Sequence, residues 1–422
     1  MVDRVFKTSS DASYIHRFYD TDPVSPSGKY IALFRLPYED KSPTYRDAGE
    51  VVVFEIQSGT EVFSRKTHAW DSQLGSQVQW GADDESLYFN DLCLDDFTVY
   101  GVRSNIFTGQ DVNLSSSVYM VSSSGRYSVS PCLKRISRIQ KGYGVRLPND
   151  LVPENQGACS DDGIFIIDLT SGESRLLKSF ADIVKDSPEV FEGLDLSTGA
   201  FYGFHTKWSP DERNLMFIMR WKSGASKHTK NFLVTFDREG KNQKVLVDSS
   251  RWIGGHHPNW APDSKSIVMN LMYDNSSMNL GKITVYLEKL ARKFGFRYFS
   301  NYKLLRISLI PLSGDGDYPY NNISFGSGHP SFHPSGHYVV TDCYPNERVA
   351  NPDGTVPVRL LTRNYERSLI NLLTLPKSPG RTDEWRIDPH PAFSRDGSLL
   401  TCNARNGDNR GVVVFSMDEV HV

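Results

Sequence analysis

Four histidines occupy the same place in a repeated phrase of this sequence, each three residues before an aromatic residue. The phrases are HTKW at His205, HPNW at His257, HPSF at His329 and HPAF at His390. Repeats of one supersecondary unit place equivalent positions on one ring, and imidazoles gathered on a ring can share a metal ion or a substrate. The spacing therefore predicts a metal-binding or catalytic site.

The phrase that carries the histidines occurs seven times, as a short strand, a turn rich in Ser, Pro, Asp and Gly, and a second apolar strand. Its copies begin at Val24, Trp80, Val121, Trp208, Trp260, Phe332 and Phe393. Further strand pairs between the copies, such as 164–169 with 173–177, would complete each unit. Four strands in each of seven units predict an all-β fold, a seven-bladed β-propeller in a single domain spanning residues 1–422. A last strand at 412–417 is expected to pair with the N-terminal repeat and close the ring.

Composition argues against several classes of partner. The formal net charge is -3 and no basic block is present, so we expect no nucleic-acid partner. No run approaches the roughly 18 apolar residues that a membrane span needs, so we expect no membrane contact. The five cysteines are scattered and odd in number, and the first residues lack the pattern of a secretory signal. These features predict a cytoplasmic protein.

One segment departs from the repeats, at residues 278–302. Ile283, Leu287, Leu290 and Phe294 recur within it at helical spacing. This pattern predicts a short amphipathic helix inserted between the fifth and sixth units.

The second strand of each copy should end near the histidine of its own unit, because it returns to the face from which the first strand starts. These return positions hold Asn90, Asp91, Arg220, Asn270, Asp342, Cys343, Asn403 and Arg405. One mouth of the channel is therefore predicted to collect imidazole, carboxylate, amide and guanidinium groups.

A divalent metal ion fits part of this set. His257, His329 and His390 come from consecutive copies, and Asp388 lies two residues before His390, on the same face of an extended strand. Three imidazoles with one carboxylate suit Zn²⁺ or Mn²⁺. Cys343 is a further candidate ligand if the ion is zinc, although free cysteines more often pack as small hydrophobes.

The other histidines are expected elsewhere. His256 neighbours His257 and should point to the opposite face of the strand. Six histidines lie outside the repeated position and are expected at the surface or in turns: His16, His68, His228, His333, His337 and His421.

Five segments carry a resemblance to a known family: GHPSFHPSGHYVVTDCYP, EWRIDPHPAFSRDGSLL, WDSQLGSQVQW, YFND and RISRIQKGYG. They resemble the seven-bladed propeller polysaccharide lyases, namely the oligogalacturonate lyases and, more distantly, the ulvan and glucuronate-rhamnose lyases. The similarity runs from His16 to Asn403. It implies β-elimination at a uronic acid, which requires a cation for the carboxylate, a base for the C5 proton and an acid for the leaving oxygen.

The oligogalacturonate type implies roles for late-blade residues. His329 and His390 match metal-ligand histidines, Asp388 stands where another ligand histidine is expected, and His257 matches the base. Trp385 stands where the family has a glutamine ligand, which is a departure from the metal geometry of that type.

The ulvan type implies a second set of residues. It has a Tyr followed sixteen positions later by an Arg, and Tyr119 and Arg135 have that spacing here, with Tyr143 nearby. Its histidine pair has no counterpart, because Asp71 and Asp91 stand in the comparable places.

The resemblance further implies that Arg220 binds the substrate carboxylate, since its planar guanidinium can form two hydrogen bonds to it. Asn90, Asp91, Tyr143 and Arg405 are expected to contact the same substrate. If His257 binds the metal instead of acting as the base, the base would be His205 or Tyr119.

The sequence leaves three classes of function open. The first is a lyase for uronic-acid-containing oligosaccharides that uses a divalent metal. The second is a non-catalytic propeller that binds a glycan or a protein in the same funnel. A hydrolase is the third, although no GxSxG motif and no distinct carboxylate pair is present. A propeller fold by itself does not decide among them.

Overall fold

The computed structural model describes residues 2–224, 229–274, 303–345, 347, 349–353, 355–374 and 383–420. Its strands form seven four-stranded sheets, which confirms the predicted all-β fold and seven-bladed propeller. The paired strands within each sheet run antiparallel, as in β2 (Ser13–Ile15) against β3 (Tyr30–Leu36). The helix predicted at 278–302 lies outside the described residues.

Blades 1 to 3 come from the first half of the chain. Blade 1 contains β2, β3, β4 (Gly49–Glu55) and β5 (Glu61–Thr67). Blade 2 contains β6 (Gln79–Trp80), β7 (Ser86–Leu92), β8 (Val99–Asn105) and β9 (Asp111–Asn113). Blade 3 contains β10 (Met120–Val121), β11 (Tyr127–Pro131), β12 (Gly163–Asp168) and β13 (Ser174–Ser179).

Blades 4 to 6 follow in chain order. Blade 4 contains β14 (Gly199–Trp208), β15 (Asn214–Ser223), β16 (Thr229–Asp237) and β17 (Lys244–Val247). Blade 5 contains β18 (Gly255–Trp260), β19 (Ser266–Asp274), β20 (Lys303–Pro311) and β21 (Tyr318–Pro319). Blade 6 contains β22 (Ser331–Phe332), β23 (Val339–Thr341), β24 (Thr355–Leu361) and β25 (Glu366–Leu373).

Blade 7 closes the ring by joining the two ends of the described chain. It contains β26 (Ala392–Phe393), β27 (Leu399–Asn406), β28 (Asn409–Ser416) and, as its outermost strand, β1 (Arg4–Lys7). Arg4 pairs with Phe415 and Lys7 with Val413. This pairing confirms the predicted closure, and it covers a sheet edge that would otherwise be open.

The blades bury their sheets on both faces. Consecutive residues of a strand point to opposite faces, yet every residue from Leu215 to Met219 in β15 is at most 2% exposed. Both faces of blade 4 are therefore covered by neighbouring parts of the molecule. The continuous apolar run in this strand is the sequence feature that allows both faces to be buried.

The turn between the two strands of the repeated phrase requires a left-handed residue. Gly28 supplies it in blade 1 with a φ of 80°, and Glu212 takes the same place in blade 4 with a φ of 57°. Glycine adopts this conformation without the steric cost that Cβ imposes. The turns predicted from Ser, Pro, Asp and Gly are thus present.

Helices are short in the part of the chain that the structure describes. They are α1 (Phe180–Asp186), α2 (Pro188–Phe191) and three 3₁₀ turns at Ile136–Arg138, Asn149–Leu151 and Asp383–Trp385. Ser179 caps α1 through a capping box with Asp182. None of these helices has the length and apolar character needed to cross a bilayer.

Candidate active site

The innermost strands of blades 4 to 7 bring the four repeated histidines to four consecutive blades, as predicted. His205 lies on β14 and His257 on β18, whereas His329 and His390 each lie two residues before the first strand of their blade. The ring centroids are 3.9 Å apart for His257 and His329, and 4.3 Å apart for His329 and His390. Three of the four imidazoles are therefore in direct contact.

A β-bulge changes the direction of the side chains at the start of blade 5. The register of β18 shifts between His256 and Asn259, and His257 has a left-handed φ of 63°. Both His256 and His257 consequently line the same cavity, so the prediction that His256 faces the opposite side is wrong. Strict alternation fails here because a bulge inserts an unpaired residue and re-aims its neighbours.

Polar side chains at the return positions connect neighbouring blades. Asn270 accepts the backbone N–H of His256 at 2.6 Å and donates to Gly328 O, at the start of blade 6, at 2.6 Å. Asn90 connects blades 2 and 3 with equivalent bonds to Val118. Asn90 is completely buried, so its amide serves the fold and does not reach the cavity.

Asp342 takes this position in blade 6 but carries a carboxylate. It accepts the backbone N–H groups of His329 at 2.7 Å and of His390 at 3.0 Å. The Nδ1 atom of His329 lies 2.9 Å from the same carboxylate. A carboxylate bonded to Nδ1 sets the orientation of the ring and leaves Nε2 for another partner, as in many metal sites.

His329, Asp388 and His390 form a buried cluster whose candidate ligand atoms all lie within 4.8 Å of one another. Both ring nitrogens of His390 are buried and have no hydrogen-bond partner in the described ranges. Buried polar atoms nearly always have a partner, so a free nitrogen of His390 fits a metal ligand. Arg386 Nε donates to Asp388 Oδ2 at 2.7 Å and holds that carboxylate in place. Two imidazoles and a carboxylate suit Mn²⁺ or Zn²⁺.

Residues 16–22, here called the channel segment, lie between β2 and β3 and cross the channel beneath the histidines. The ring of Phe18 is 4.6 Å from that of His390 and 5.2 Å from that of His205. His16 is completely buried, with its ring 6.3 Å from His390. The prediction that His16 lies at the surface or in a turn is therefore wrong, because its segment fills the channel.

The channel segment also carries a buried ionic network. Asp20 Oδ2 lies 2.7 Å from Lys207 Nζ, and Asp20 Oδ1 lies 3.4 Å from Arg17. The side chains of Asp20 and Lys207 are fully buried. Burial lowers the pKa of Lys207 to about 8, against the attraction of Asp20. For Asp20, the charges of Lys207 and Arg17 outweigh burial and lower its pKa.

A cavity of about 470 Å³ opens above the channel segment. Its walls are the side chains of Phe18, Gln140, Tyr143, Phe204, His205, Ile218, Arg220, Trp252, His256, His257, Tyr344, Pro345, Thr374, Arg386, Ile387 and Asp388. Apolar walls with a few convergent polar groups are typical of small-molecule sites. The cavity therefore combines four predicted site residues of the late blades with Tyr143 of blade 3.

Arg220 is a buried cation without an acidic partner among the described residues. Its guanidinium lies 3.9 Å from the ring centroid of Phe204 and donates to Gln140 Oε1 at 2.7 Å. Burial lowers the pKa of Arg220 to about 10, so the group remains charged near neutral pH. A buried, unpaired charge is costly unless a ligand neutralises it. The geometry suits a carboxylate ligand.

His257 has a defined tautomer. Its Nδ1 lies 2.8 Å from Gly328 O, and a carbonyl can only accept, so Nδ1 carries the proton. Enclosure in the cavity lowers the pKa of His257 well below its ordinary value, and the neighbouring His329 and His256 add to this shift. The free Nε2 can therefore accept a proton.

Eight predicted site residues lie outside the cavity lining: Asn90, Asp91, Tyr119, Arg135, His329, Cys343, His390 and Arg405. Arg135 instead approaches Asp161 and Asp162, at 3.9 and 3.7 Å. Arg405 pairs with Asp408 at 3.1 Å. Asp91 accepts the backbone N–H of His68 at 2.9 Å. Each of these three charged groups therefore has a partner outside the cavity.

Cys343 and Trp385 also differ from their expected surroundings. Cys343 is buried in a hydrophobic cluster with Ala350 and Val356, and burial raises the pKa of its thiol to about 12. A thiol in such surroundings packs as a small hydrophobe and is a poor metal ligand. Trp385 is likewise part of a hydrophobic cluster. Neither residue joins the histidine and aspartate cluster.

The site also contains residues outside the predicted set, among them His16, His256, Trp252, Tyr344 and Arg386. Tyr344 directly follows Cys343 at the return position of blade 6, and Arg386 lies two residues before Asp388. Their closeness in sequence to predicted site residues could have identified these two. The other three have no repeat position that would identify them.

The buried neutral histidines make stability sensitive to acid. Burial lowers the pKa of His16 from 6.5 to about 4, so the unfolded chain binds a proton in this range that the folded chain excludes. The stabilisation is fully present above pH 6.5 and decreases as pH falls toward 4, by about 3 kcal/mol for His16 alone. Denaturant unfolding of metal-free protein across this range measures the loss. His16→Gln should flatten the profile, and an unchanged profile would contradict the assignment.

The described fold and site define a seven-bladed propeller whose channel mouth combines a histidine and carboxylate cluster with an unpaired arginine. No protein-family model and no curated protein matches the sequence. The structure is similar to that of an oligogalacturonate lyase from Vibrio parahaemolyticus, with a TM-score of 0.60 and 11% identity over 100% of this chain and 94% of that chain. It is also similar to an oligogalacturonate lyase in complex with manganese, with a TM-score of 0.61 and 10% identity over 99% and 96% of the two chains. At these identities the similarity shows the shared fold alone.

Proposed function

We propose that this protein is a polysaccharide lyase that cleaves uronic-acid-containing oligosaccharides by metal-assisted β-elimination. The observation that carries the proposal is Arg220, a buried cation with no acidic partner among the described residues, in the same cavity as His257. The same cavity reaches Asp388 of the candidate metal cluster. A substrate carboxylate would neutralise the arginine.

The residues of the cavity supply the parts of an elimination. Arg220 would bind and orient the carboxylate, which acidifies the C5 proton next to it. His257 would accept that proton at Nε2, because its Nδ1–H is committed to Gly328 O. His329, Asp388 and His390 would hold a divalent ion such as Mn²⁺ or Zn²⁺, which would supply positive charge to the substrate. Aromatic walls from Trp252 and Tyr344 would enclose the sugar.

Similarity to a manganese-bound oligogalacturonate lyase agrees with this proposal at the level of fold. The test is an ultraviolet assay with a panel of uronic-acid oligosaccharides and added Mn²⁺ or Zn²⁺. Elimination creates an absorbing C4–C5 double bond, whereas hydrolysis does not. We expect increasing absorbance that a chelator suppresses. Reducing ends without absorbance would indicate a hydrolase, and binding without product would indicate a non-catalytic glycan-binding propeller.

The role of Arg220 in binding the substrate carboxylate can be checked in the same assay. Arg220→Lys should lower kcat/KM by about 100-fold, because the lysine ammonium cannot form the two parallel hydrogen bonds with which the planar guanidinium orients a carboxylate. The matched control is Arg135→Lys, since Arg135 lies outside the cavity lining. Equal activity of the two variants would remove Arg220 from the site.

A further inference from the structure

Blade 4 contributes to the cavity an imidazole whose surroundings differ from those of His257. His205 lines the cavity, and its Nδ1 is hydrogen-bonded to the Tyr119 hydroxyl. Tyr119 is completely buried and does not line the cavity. No other partner of this hydroxyl occurs in the described part of the chain.

The direction of this hydrogen bond follows from the burial of Tyr119. A buried hydroxyl that fails to donate loses a hydrogen bond, which costs about 1–3 kcal/mol. Burial also raises the pKa of Tyr119 well above its ordinary value, so the hydroxyl is protonated in the resting protein. Tyr119 therefore donates, and His205 Nδ1 accepts.

The tautomer of His205 follows in turn. Burial, together with the charge of Lys207, lowers the pKa of His205 well below its ordinary value, so the ring is neutral and carries one proton. Because Nδ1 accepts, that proton is on Nε2. No hydrogen bond from a described residue engages Nε2, and the ring faces the cavity. His205 thus presents an N–H donor, whereas His257 presents a lone pair.

We propose that His205 is the general acid of the elimination and that Tyr119, behind it, is a positioning residue that resupplies its proton. This inference rests on the proposed lyase function, because it assigns the acid that complements His257. The two imidazoles are fixed in opposite tautomers by one carbonyl and one hydroxyl. An elimination needs one acceptor and one donor of this kind in a single cavity.

The proton and electron balance of the step is complete. His257 Nε2 takes the C5 proton, the C5–H electron pair becomes the C4–C5 double bond, and the bond from C4 to the leaving oxygen breaks. The leaving oxygen takes the Nε2 proton of His205, while the Tyr119 proton moves to Nδ1. The step ends with a protonated His257 and a deprotonated Tyr119. His257 then loses its proton to solvent, and solvent protonates His205 at Nε2 while the Nδ1 proton returns to Tyr119.

Arg17 offsets part of the cost of deprotonating the buried Tyr119. Its guanidinium carbon lies 4.6 Å from the centroid of the Tyr119 ring, and it donates to the Tyr119 backbone oxygen at 2.6 Å. A nearby positive charge favours the phenolate. The channel segment therefore forms the floor of the cavity and also contacts Tyr119, behind the proposed general acid.

A first experiment tests the tautomer without any substrate. Nitrogen NMR of metal-free protein labelled in histidine, with His205 identified by its loss in His205→Gln, reports which ring nitrogen is protonated. We expect a proton on Nε2 in the wild type and a mixture of tautomers in Tyr119→Phe. A wild-type His205 protonated on Nδ1 would overturn the inference. Tyr320→Phe, a buried tyrosine of blade 5 outside the cavity lining, is the matched control.

A second experiment tests the role of the acid. With a sugar as the leaving group at C4, His205→Gln and Tyr119→Phe should each lose about 100-fold or more in kcat. With a nitrophenolate leaving group, which needs no proton, both variants should approach wild type, whereas a His257 variant should not. Equal losses with both leaving groups would overturn the inference. A wild type inactive on both would overturn the proposed function itself, and melting temperatures verify that each variant is folded.

Discussion

Replacement of His257 by alanine is expected to abolish turnover, with a loss of at least about 1000-fold in kcat, while metal content and melting temperature stay close to wild type. The magnitude is that of removing a positioned general base. Metal content should be unaffected, because His257 lies outside the cluster of His329, Asp388 and His390 whose ligand atoms are within 4.8 Å of one another. The ultraviolet assay, elemental analysis and thermal unfolding measure the three quantities.

His390→Ala is the matched comparison for this prediction. Both ring nitrogens of His390 are without a hydrogen-bond partner in the described ranges, so its loss should release the ion. Loss of a ligand bound only by the folded state also lowers the melting temperature. If His257→Ala also strips the metal, His257 is a ligand and the assignment of the base is wrong.

Lys207→Met should destabilise the fold by about 3–5 kcal/mol, the largest stability effect that we expect from a single conservative change. The substitution preserves much of the side-chain volume but removes the charge that neutralises Asp20, 2.7 Å away. Among the described residues, Asp20 would then be a buried carboxylate with Arg17, at 3.4 Å, as its one remaining cationic partner. Equilibrium unfolding in denaturant gives the change in free energy.

Two further variants test whether the unpaired charge of Asp20 causes the loss of stability. Lys222→Met, an exposed lysine on β15, should change stability by no more than about 0.5 kcal/mol. Adding Asp20→Asn to Lys207→Met should recover part of the stability, because the unpaired charge is removed. A Lys207→Met protein as stable as wild type would show that Arg17 alone compensates Asp20.

The ring and its four repeated histidines could be predicted because repeated sequence units fold into equivalent blades. His257 and His390 hold the same place in two copies of one unit, so they lie at equivalent positions in two blades of the ring. The prediction needed no knowledge of side-chain contacts. It failed one residue away, at His256, because the bulge that turns His257 into the cavity is invisible in a pattern of alternating residues.

The floor of the cavity could not be predicted by the same reasoning. His16 and Phe18 belong to a segment that occurs once, so no repeat indicates where it lies. The return positions divided into two kinds. Arg220 reaches the cavity, whereas Asn90 binds the backbone of two blades, and both look equally polar in the sequence. The difference is that the neighbouring blade offers Asn90 backbone groups to bond with, whereas Arg220 reaches the cavity.

Ring closure means that the site needs residues from both ends of the described chain. The floor comes from residues 16–22, while the backbone N–H of His16 is held by Asn403, 3.0 Å away and 387 positions later in the chain. β1 likewise finds its partner only in β28. A chain emerging from the ribosome therefore carries the floor of its cavity from the start of synthesis, and the cavity is complete only when the residues of the seventh blade have been added.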